Sequence, residues 1–281
     1  MEKIHSDLET LISKSLPRVN DNATYTDIEL IHIENPSAYS QLLKALKKYN
    51  KSAKTAKKLR ELRDAYEKAR ELYNEKKYLF ISVDVESYER DHSCILEVGW
   101  SIYDARKDKS DDPESKPYLD RHFCATEYRH LKNGKFVPDM KDKYMFGETV
   151  WANLNSIADQ LRGDLNETEK GTVVFVGHDT KTDVKYLESI GIFVERDIEP
   201  AGTFDTAEMY AARTGKATER MNLGRTCDEM NIENYCLHNA GNDAHYTLLL
   251  FIELCRQTLP DIDLSNLNTT PSTSQVTYEV I

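Results

Sequence analysis

The spacing of apolar residues changes at Tyr78. Upstream, Leu42, Leu43 and Leu46 share one helical face, and Leu59, Leu62, Tyr66, Ala69 and Tyr73 recur three and four residues apart. This predicts two helices, the first opened by Pro36-Ser37. Lys, Arg and Glu fill the other faces, with Arg60 and Asp64 spaced as a helical ion pair. Downstream the apolar runs are short. Residues 78–83, 94–103 and 122–126 predict three strands, the last two paired as a meander. Residues 150–161 predict an amphipathic helix, 172–176 a β-branched strand, 183–190 a helix and 202–205 a further strand. Residues 223–230 and 239–259 predict two closing helices, the last strongly apolar at Leu248, Leu249, Leu250 and Phe251.

Three strands followed by alternating helices and strands indicate an α/β chain with a mixed sheet flanked by helices. The expected layout is a poorly ordered arm over residues 1–26, a helical extension over 27–77, a folded domain over 78–260 and a Ser/Thr/Asn-rich disordered tail over 261–281.

Composition narrows the function classes. The formal net charge is −11, which argues against coating nucleic acid through a bulk positive field. It leaves room for an enzyme that grips a strand end locally. The basic helix from Lys51 to Lys77 reads as a solvated face. No apolar run reaches the roughly 18 residues of a membrane span, and the polar, acidic start is unlike a secretory signal or transit peptide. The five cysteines form no C-x-x-C pair and read as reduced thiols. An intracellular protein, cytoplasmic or nuclear, without membrane association is expected.

Carboxylates sit where core elements end. Asp84 and Glu86 follow the first predicted strand two residues apart, so they point to one side. Asp183 lies in the first turns of the helix after the strand ending at Val176. Asp243 lies inside the last helix, with Asn239 as its N-cap and His238 just before it. Each alone has a plain structural reading: a solvated strand end, an acid at a helix N-terminus, a loop histidine. Together, four acids in one pocket would repel strongly, and hard divalent cations would offset that repulsion. Two such ions, Mg²⁺ or Mn²⁺, suit phosphodiester hydrolysis.

The series Asp84-x-Glu86, His178-x-x-x-x-Asp183 and His238-x-Ala240-x-x-Asp243-Ala244 resembles the three motifs of the DEDDh 3′–5′ exonuclease superfamily. The likeness runs from about Tyr78 to Leu259. It is supported by Ile95-Leu96-Glu97-Val98-Gly99 and by Phe204-Asp205-Thr206. His122-Phe123, Lys132-Asn133-Gly134 and Phe146-Gly147-Glu148 are similar to a fungal subgroup, the exonuclease-like C-terminal domain linked to an mRNA-export suppressor. The resemblance implies a ribonuclease-H-like fold and removal of nucleotides from single-stranded 3′ ends of RNA or DNA. It further implies that Asp84 bridges both metals, Glu86 and Asp243 complete the first site, and Asp183 holds the second. His238 would then be the general base, since imidazole exchanges protons near neutral pH. Ser87 and Tyr88 would meet the terminal nucleotide.

Two positions depart from the family pattern. Asp179 stands where Asn is common, adding negative charge, and Thr182 stands where an aromatic residue is common. Both bear on substrate preference more than on metal binding. Two other functions fit the same residues: a binding module of low turnover, and a phosphodiesterase confined to very short oligomers. His245, two positions past Asp243, is expected to be structural or on the surface, and Trp100 and Trp151 to lie in the core.

Overall fold

The run Leu79-Phe80-Ile81-Ser82-Val83 has one polar residue, and it forms an interior strand of a six-stranded mixed sheet. Burial on both faces explains the near-continuous apolar pattern. The structure is a computed structural model that describes residues 36–108, 117–165 and 172–262. Chain contacts separate Thr55–Asp263 as one unit, which holds the sheet, from a second made of Met1–Lys54 and Leu264–Ile281. The arm expected over residues 1–26 and almost all of the expected tail lie outside the described residues.

The elements in order are α1 (Pro36–Asn74), β1 (Leu79–Tyr88), β2 (Asp91–Asp104), β3 (Tyr118–Ala125), β4 (Thr149–Ala152), α2 (Leu154–Leu165), β5 (Val173–Gly177), α3 (Lys181–Ser189), β6 (Gly202–Asp205), α4 (Thr206–Thr214), α5 (Leu223–Glu229) and α6 (Ala240–Arg256). The sheet order is β4-β3-β2-β1-β5-β6. β1, β2 and β3 form the expected antiparallel meander, while β5 and β6 add in parallel on the far side of β1. This is the mixed sheet flanked by helices that the sequence pattern predicts.

Four expectations are corrected. Pro36–Asn74 is one helix, not two; no Gly or Pro between Leu46 and Leu59 breaks it. Residues 149–152 form an edge strand parallel to β3, and the helix begins at Leu154. Thr149-Val150-Trp151 favours extended backbone, and Asn153 opens the helix by accepting the Ser156 N–H at 2.8 Å. β1 continues to Tyr88, so Asp84 and Glu86 lie within a paired strand rather than beyond its end. Helix α4, absent from the sequence reading, is capped by Asp205, whose carboxylate accepts the N–H groups of Ala207 and Glu208.

The two faces of β1 have different partners. Ile81, Val83 and Val85 join Val98, Trp100, Ile157, Leu161, Phe175 and Leu187 in the main core. Phe80, on the opposite face, meets Phe251 of α6 with ring centroids 5.4 Å apart. Asp84 and Glu86 share that second face by strand alternation. Helix α6 lies close because Gly99 has no side chain: a Cβ there would overlap the backbone of Ala240 and Gly241. The other end of α6 is held by α1. Tyr66 donates its hydroxyl to the Leu254 carbonyl, and Arg70 Nε donates to the Cys255 carbonyl at 3.2 Å.

Trp100 is buried as expected, with Nε1 donating to Asp164 at 3.0 Å. Trp151 is only half-buried on its edge strand, under the Arg129 guanidinium. His245 is structural: it is buried, 3.0 Å from Asp120, and stacked on Phe146.

Candidate metal centre

Strand alternation brings Asp84 and Glu86 to one side, and the first turn of α6 carries Asp243 down onto them. One carboxylate oxygen of each lies within 4.8 Å of the others. The first turn of α6 is heavily tied. Asn239 accepts the Asn242 N–H at 3.1 Å, and the Asp243 Oδ2 accepts the His238 N–H at 2.9 Å. Those bonds hold the Asp243 carboxylate over the sheet. His238 takes a left-handed backbone, φ +67°, an uncommon conformation for a non-glycine residue.

Burial and crowding make the negative charges costly. The Glu86 carboxyl is pushed up to about 8 by burial, then by the charges of Asp243, Glu97 and Asp183. Asp243 is pushed up to about 7 by burial, opposed by the His238 N–H. Asp84 is raised well above its ordinary value by burial, then by Asp183, Asp243, Glu86 and Glu97. The buried Asp243 Oδ1 has no hydrogen-bond partner. Hard oxygen donors under mutual repulsion, one of them orphaned, fit a hard divalent cation such as Mg²⁺ or Mn²⁺.

The other expected residues sit around this trio. Asp183, in the first turn of α3, stands outside it, with Oδ1 accepting the Val85 N–H at 3.3 Å. Its carboxyl is pushed up to about 7, chiefly by burial. His238 is half-exposed, with Nδ1 3.9 Å from Glu86 Oε1. The Ser87 hydroxyl lies 2.9 Å from the Tyr186 hydroxyl and 3.0 Å from His92 Nδ1. Tyr88 ends β1 at the turn into β2, opposite Asp91.

Three contributors were given no site role from the sequence, two of them (Glu97 and His122) quoted only as motif residues. Glu97, directly opposite Glu86 on β2, is buried and bonded to His122 Nε2 at 2.9 Å. The other imidazole nitrogen of His122 meets the Thr149 hydroxyl at 2.9 Å. The signal available was a charged residue inside an apolar strand, Ile95-Leu96-Glu97-Val98, whose burial demands a partner. The third is Arg220, which pairs with Asp179 at 2.6 Å, Glu208 at 2.6 Å and Asp205 at 3.4 Å. The added charge of Asp179 is therefore matched locally. His178 is structural as well. It contacts the Met221 carbonyl and the Thr206 hydroxyl, each at 2.8 Å, and burial lowers its pKa.

The family profile described as DNA polymerase III subunit epsilon-like, C-terminal domain, matches residues 79–254. Three yeast proteins are similar. The uncharacterized protein YDR514C of Saccharomyces cerevisiae is 32% identical over 66% of this chain and 43% of its own length. The protein of the same yeast called Good for full DBP5 activity protein 2 is 31% identical over 67% of this chain and 37% of its own length. An uncharacterized nucleolar protein of Schizosaccharomyces pombe is 28% identical over 60% of this chain and 65% of its own length. The matches thus span less than two thirds of each relative. Among solved structures, the RNase domain of yeast Pop2 is 14% identical, with a TM-score of 0.44 over 69% of this chain and 82% of that one. No helix among the described residues is long and apolar enough to cross a membrane.

Proposed function

The chain belongs to the DEDDh family of DNA polymerase III epsilon-like domains, and from that membership we propose that it is a metal-dependent exonuclease trimming single-stranded RNA or DNA from a free 3′ end. The observation that carries this reading is the convergence of Asp84, Glu86 and Asp243 within 4.8 Å. In this reading Asp84, Glu86 and Asp243 would hold one divalent ion, Mg²⁺ or Mn²⁺, and Asp183 together with Asp84 would hold a second. Bound ions would make the attacking water more acidic and stabilise the leaving oxygen.

The chain's own residues supply the rest. His238 removes the proton from the attacking water; its ring is half-exposed beside Glu86, which gives it access to solvent and to the carboxylates. The tie between its backbone N–H and Asp243 couples the position of the base to that of a ligand. Ser87 and Tyr88 receive the terminal nucleotide, since they follow Glu86 along the same strand. The Ser87 hydroxyl is pre-oriented by Tyr186 and His92. An intracellular location, nuclear or cytoplasmic, goes with this activity, and the nucleolar description of the fission-yeast relative supports the nuclear alternative.

The test uses end-labelled single-stranded RNA and DNA with Mg²⁺, Mn²⁺ or EDTA. Stepwise loss from the 3′ end that EDTA and Asp84→Asn both abolish is expected. Binding without shortening under every condition would contradict the proposal and favour a binding module. Cleavage confined to two- and three-mers would favour a phosphodiesterase of short oligomers.

A further inference from the structure

The segment between β3 and β4 contributes no ligand to the carboxylate centre, yet it is fastened to both elements that do. On the β1 side, Asn133 Nδ2 donates to the Ser87 carbonyl at 3.0 Å, and Asn133 Oδ1 accepts the Glu89 N–H at 2.9 Å. On the α6 side, Asn239 Nδ2 donates to the Met140 carbonyl at 3.0 Å and Asn242 Nδ2 to the Lys143 carbonyl at 3.0 Å. The Met145 N–H returns to Asn242 Oδ1 at 2.9 Å. Ser87 is next to Glu86, and Asn242 is next to Asp243. The loop is thus indexed to the site from two directions.

Its tip is built around one carboxylate. Glu89 accepts the N–H groups of Gly134, Lys135, Phe136 and Val137, at distances from 2.8 to 3.3 Å. Four successive amides turned onto one anion form a nest. Gly134 allows it by adopting φ +131°. The turn therefore has a fixed backbone, and what it presents is Phe136, 70% exposed. Lys135 Nζ stands 4.8 Å from the Phe136 ring centroid. Lys132 and Lys143 are exposed as well. Residues 129–143 hold five basic and two acidic residues in a chain of net charge −11.

A solvent-facing aromatic ring on a turn of fixed backbone, with Lys135 beside it and Lys132 exposed on the same turn, matches one kind of occupant. Bases stack on aromatic rings regardless of sequence, and phosphates pair with ammonium groups. We infer that the 132–137 turn is a strand-binding platform, with Phe136 stacking on a base of the single-stranded nucleic acid whose 3′ end the carboxylates engage, and Lys132 and Lys135 contacting its phosphates. This inference rests on the nuclease reading and extends it to a site outside the metal centre. It also explains how so acidic a protein holds a polyanion: the favourable charge is local and lies beside the chemistry.

The experiment measures fluorescence anisotropy of 5′-fluorescein single-stranded RNA and DNA in the Asp84→Asn background, together with steady-state cleavage in the wild-type background. Phe136→Ala should weaken binding about tenfold. It should raise KM while leaving kcat unchanged, the signature of lost uniform binding. Phe136→Tyr should restore both. Lys132→Ala with Lys135→Ala should lower the salt slope of binding by about 1.4, at roughly 0.7 per single-strand phosphate contact, and Phe136→Ala should leave that slope alone. Because Phe136 is exposed, its variants should melt with the wild type. Unchanged affinity and KM in Phe136→Ala would overturn the platform. If Asp84→Asn still abolished cleavage, the nuclease reading would survive that loss and the ring would be free for a protein partner. If instead Phe136→Ala weakened binding but Asp84→Asn cleaved normally, the platform would stand and the metal-ligand assignment would fall.

Discussion

Glu97 Oε2 and His122 Nε2 lie 2.9 Å apart, both side chains almost wholly buried, with Glu97 on β2 beside Glu86 and His122 one strand further out on β3. The pair sets a buried carboxyl group directly across from Glu86 and supplies its hydrogen-bond partner from β3. Glu97 also receives the Ala240 N–H at 3.4 Å, so one carboxylate links β2, β3 and the start of α6.

Removing one partner of such a pair strands the other. His122→Ala should lower unfolding free energy by about 3–5 kcal/mol, measured by urea denaturation. The double variant Glu97→Gln with His122→Ala should recover part of that loss, because no uncompensated carboxylate remains. Equal losses in the single and double variants would show that packing, not charge, dominates at His122.

Gly99 is the position at which α6 meets the sheet. Gly99→Ala drives a methyl group into the backbone of Ala240. Overpacking of this kind costs about 1–3 kcal/mol, and here relief requires moving the turn that carries Asp243. The variant should therefore lose stability and also most of its metal-dependent rise in melting temperature. A variant that melts lower but responds to Mg²⁺ as the wild type does would show that Asp243 is positioned by other contacts.

The metal-free protein should be less stable at high pH. Glu86 is pushed up to about 8, and Asp183 and Asp243 to about 7, from ordinary values of 4.5 and 3.8. Between those limits the folded state holds protons that the unfolded chain has released, so stability falls as pH rises. In EDTA the contribution is complete below about pH 4 and is lost through roughly pH 7–8. Thermal melts across that range should show the decline, and Mg²⁺ should flatten it by binding only the folded, ionised site. A metal-free melting temperature that climbs from pH 5 to pH 8 would contradict this picture.

His238 separates chemistry from metal binding. His238→Ala retains all four carboxylates, so Mg²⁺ should still raise its melting temperature. Turnover should fall about 10²- to 10⁴-fold, the usual contribution of a positioned proton acceptor. Cleavage at the wild-type rate would remove His238 from the mechanism.

Much of this site was legible from short-range pattern. The apolar run before Asp84 marks an interior strand, and a period of two puts Asp84 and Glu86 on one side. Asn239 before a strongly apolar helix marks the start of α6. The contacts that make a centre of these residues depend on distant partners. Gly99 and Ala240 meet across more than a hundred residues, and nothing in Ile95-Leu96-Glu97 says that His122 lies beneath it. Arg220 offsetting Asp179 is a pairing of the same long-range kind. Helix α4 was within reach, since Asp205 with Glu208 three residues on is a capping-box pattern. The edge strand at Thr149–Ala152 was masked by the amphipathic helix that follows, because a periodicity window runs across the junction at Asn153.

The central claim is that carboxylates from β1, α3 and α6 hold divalent ions in common. Anomalous diffraction from crystals soaked in Mn²⁺ tests it most directly. The account predicts manganese peaks bounded by Asp84, Glu86 and Asp243, with a second position reached by Asp84 and Asp183, and their loss in Asp84→Asn. A fully soaked crystal with no anomalous density among these side chains would contradict it.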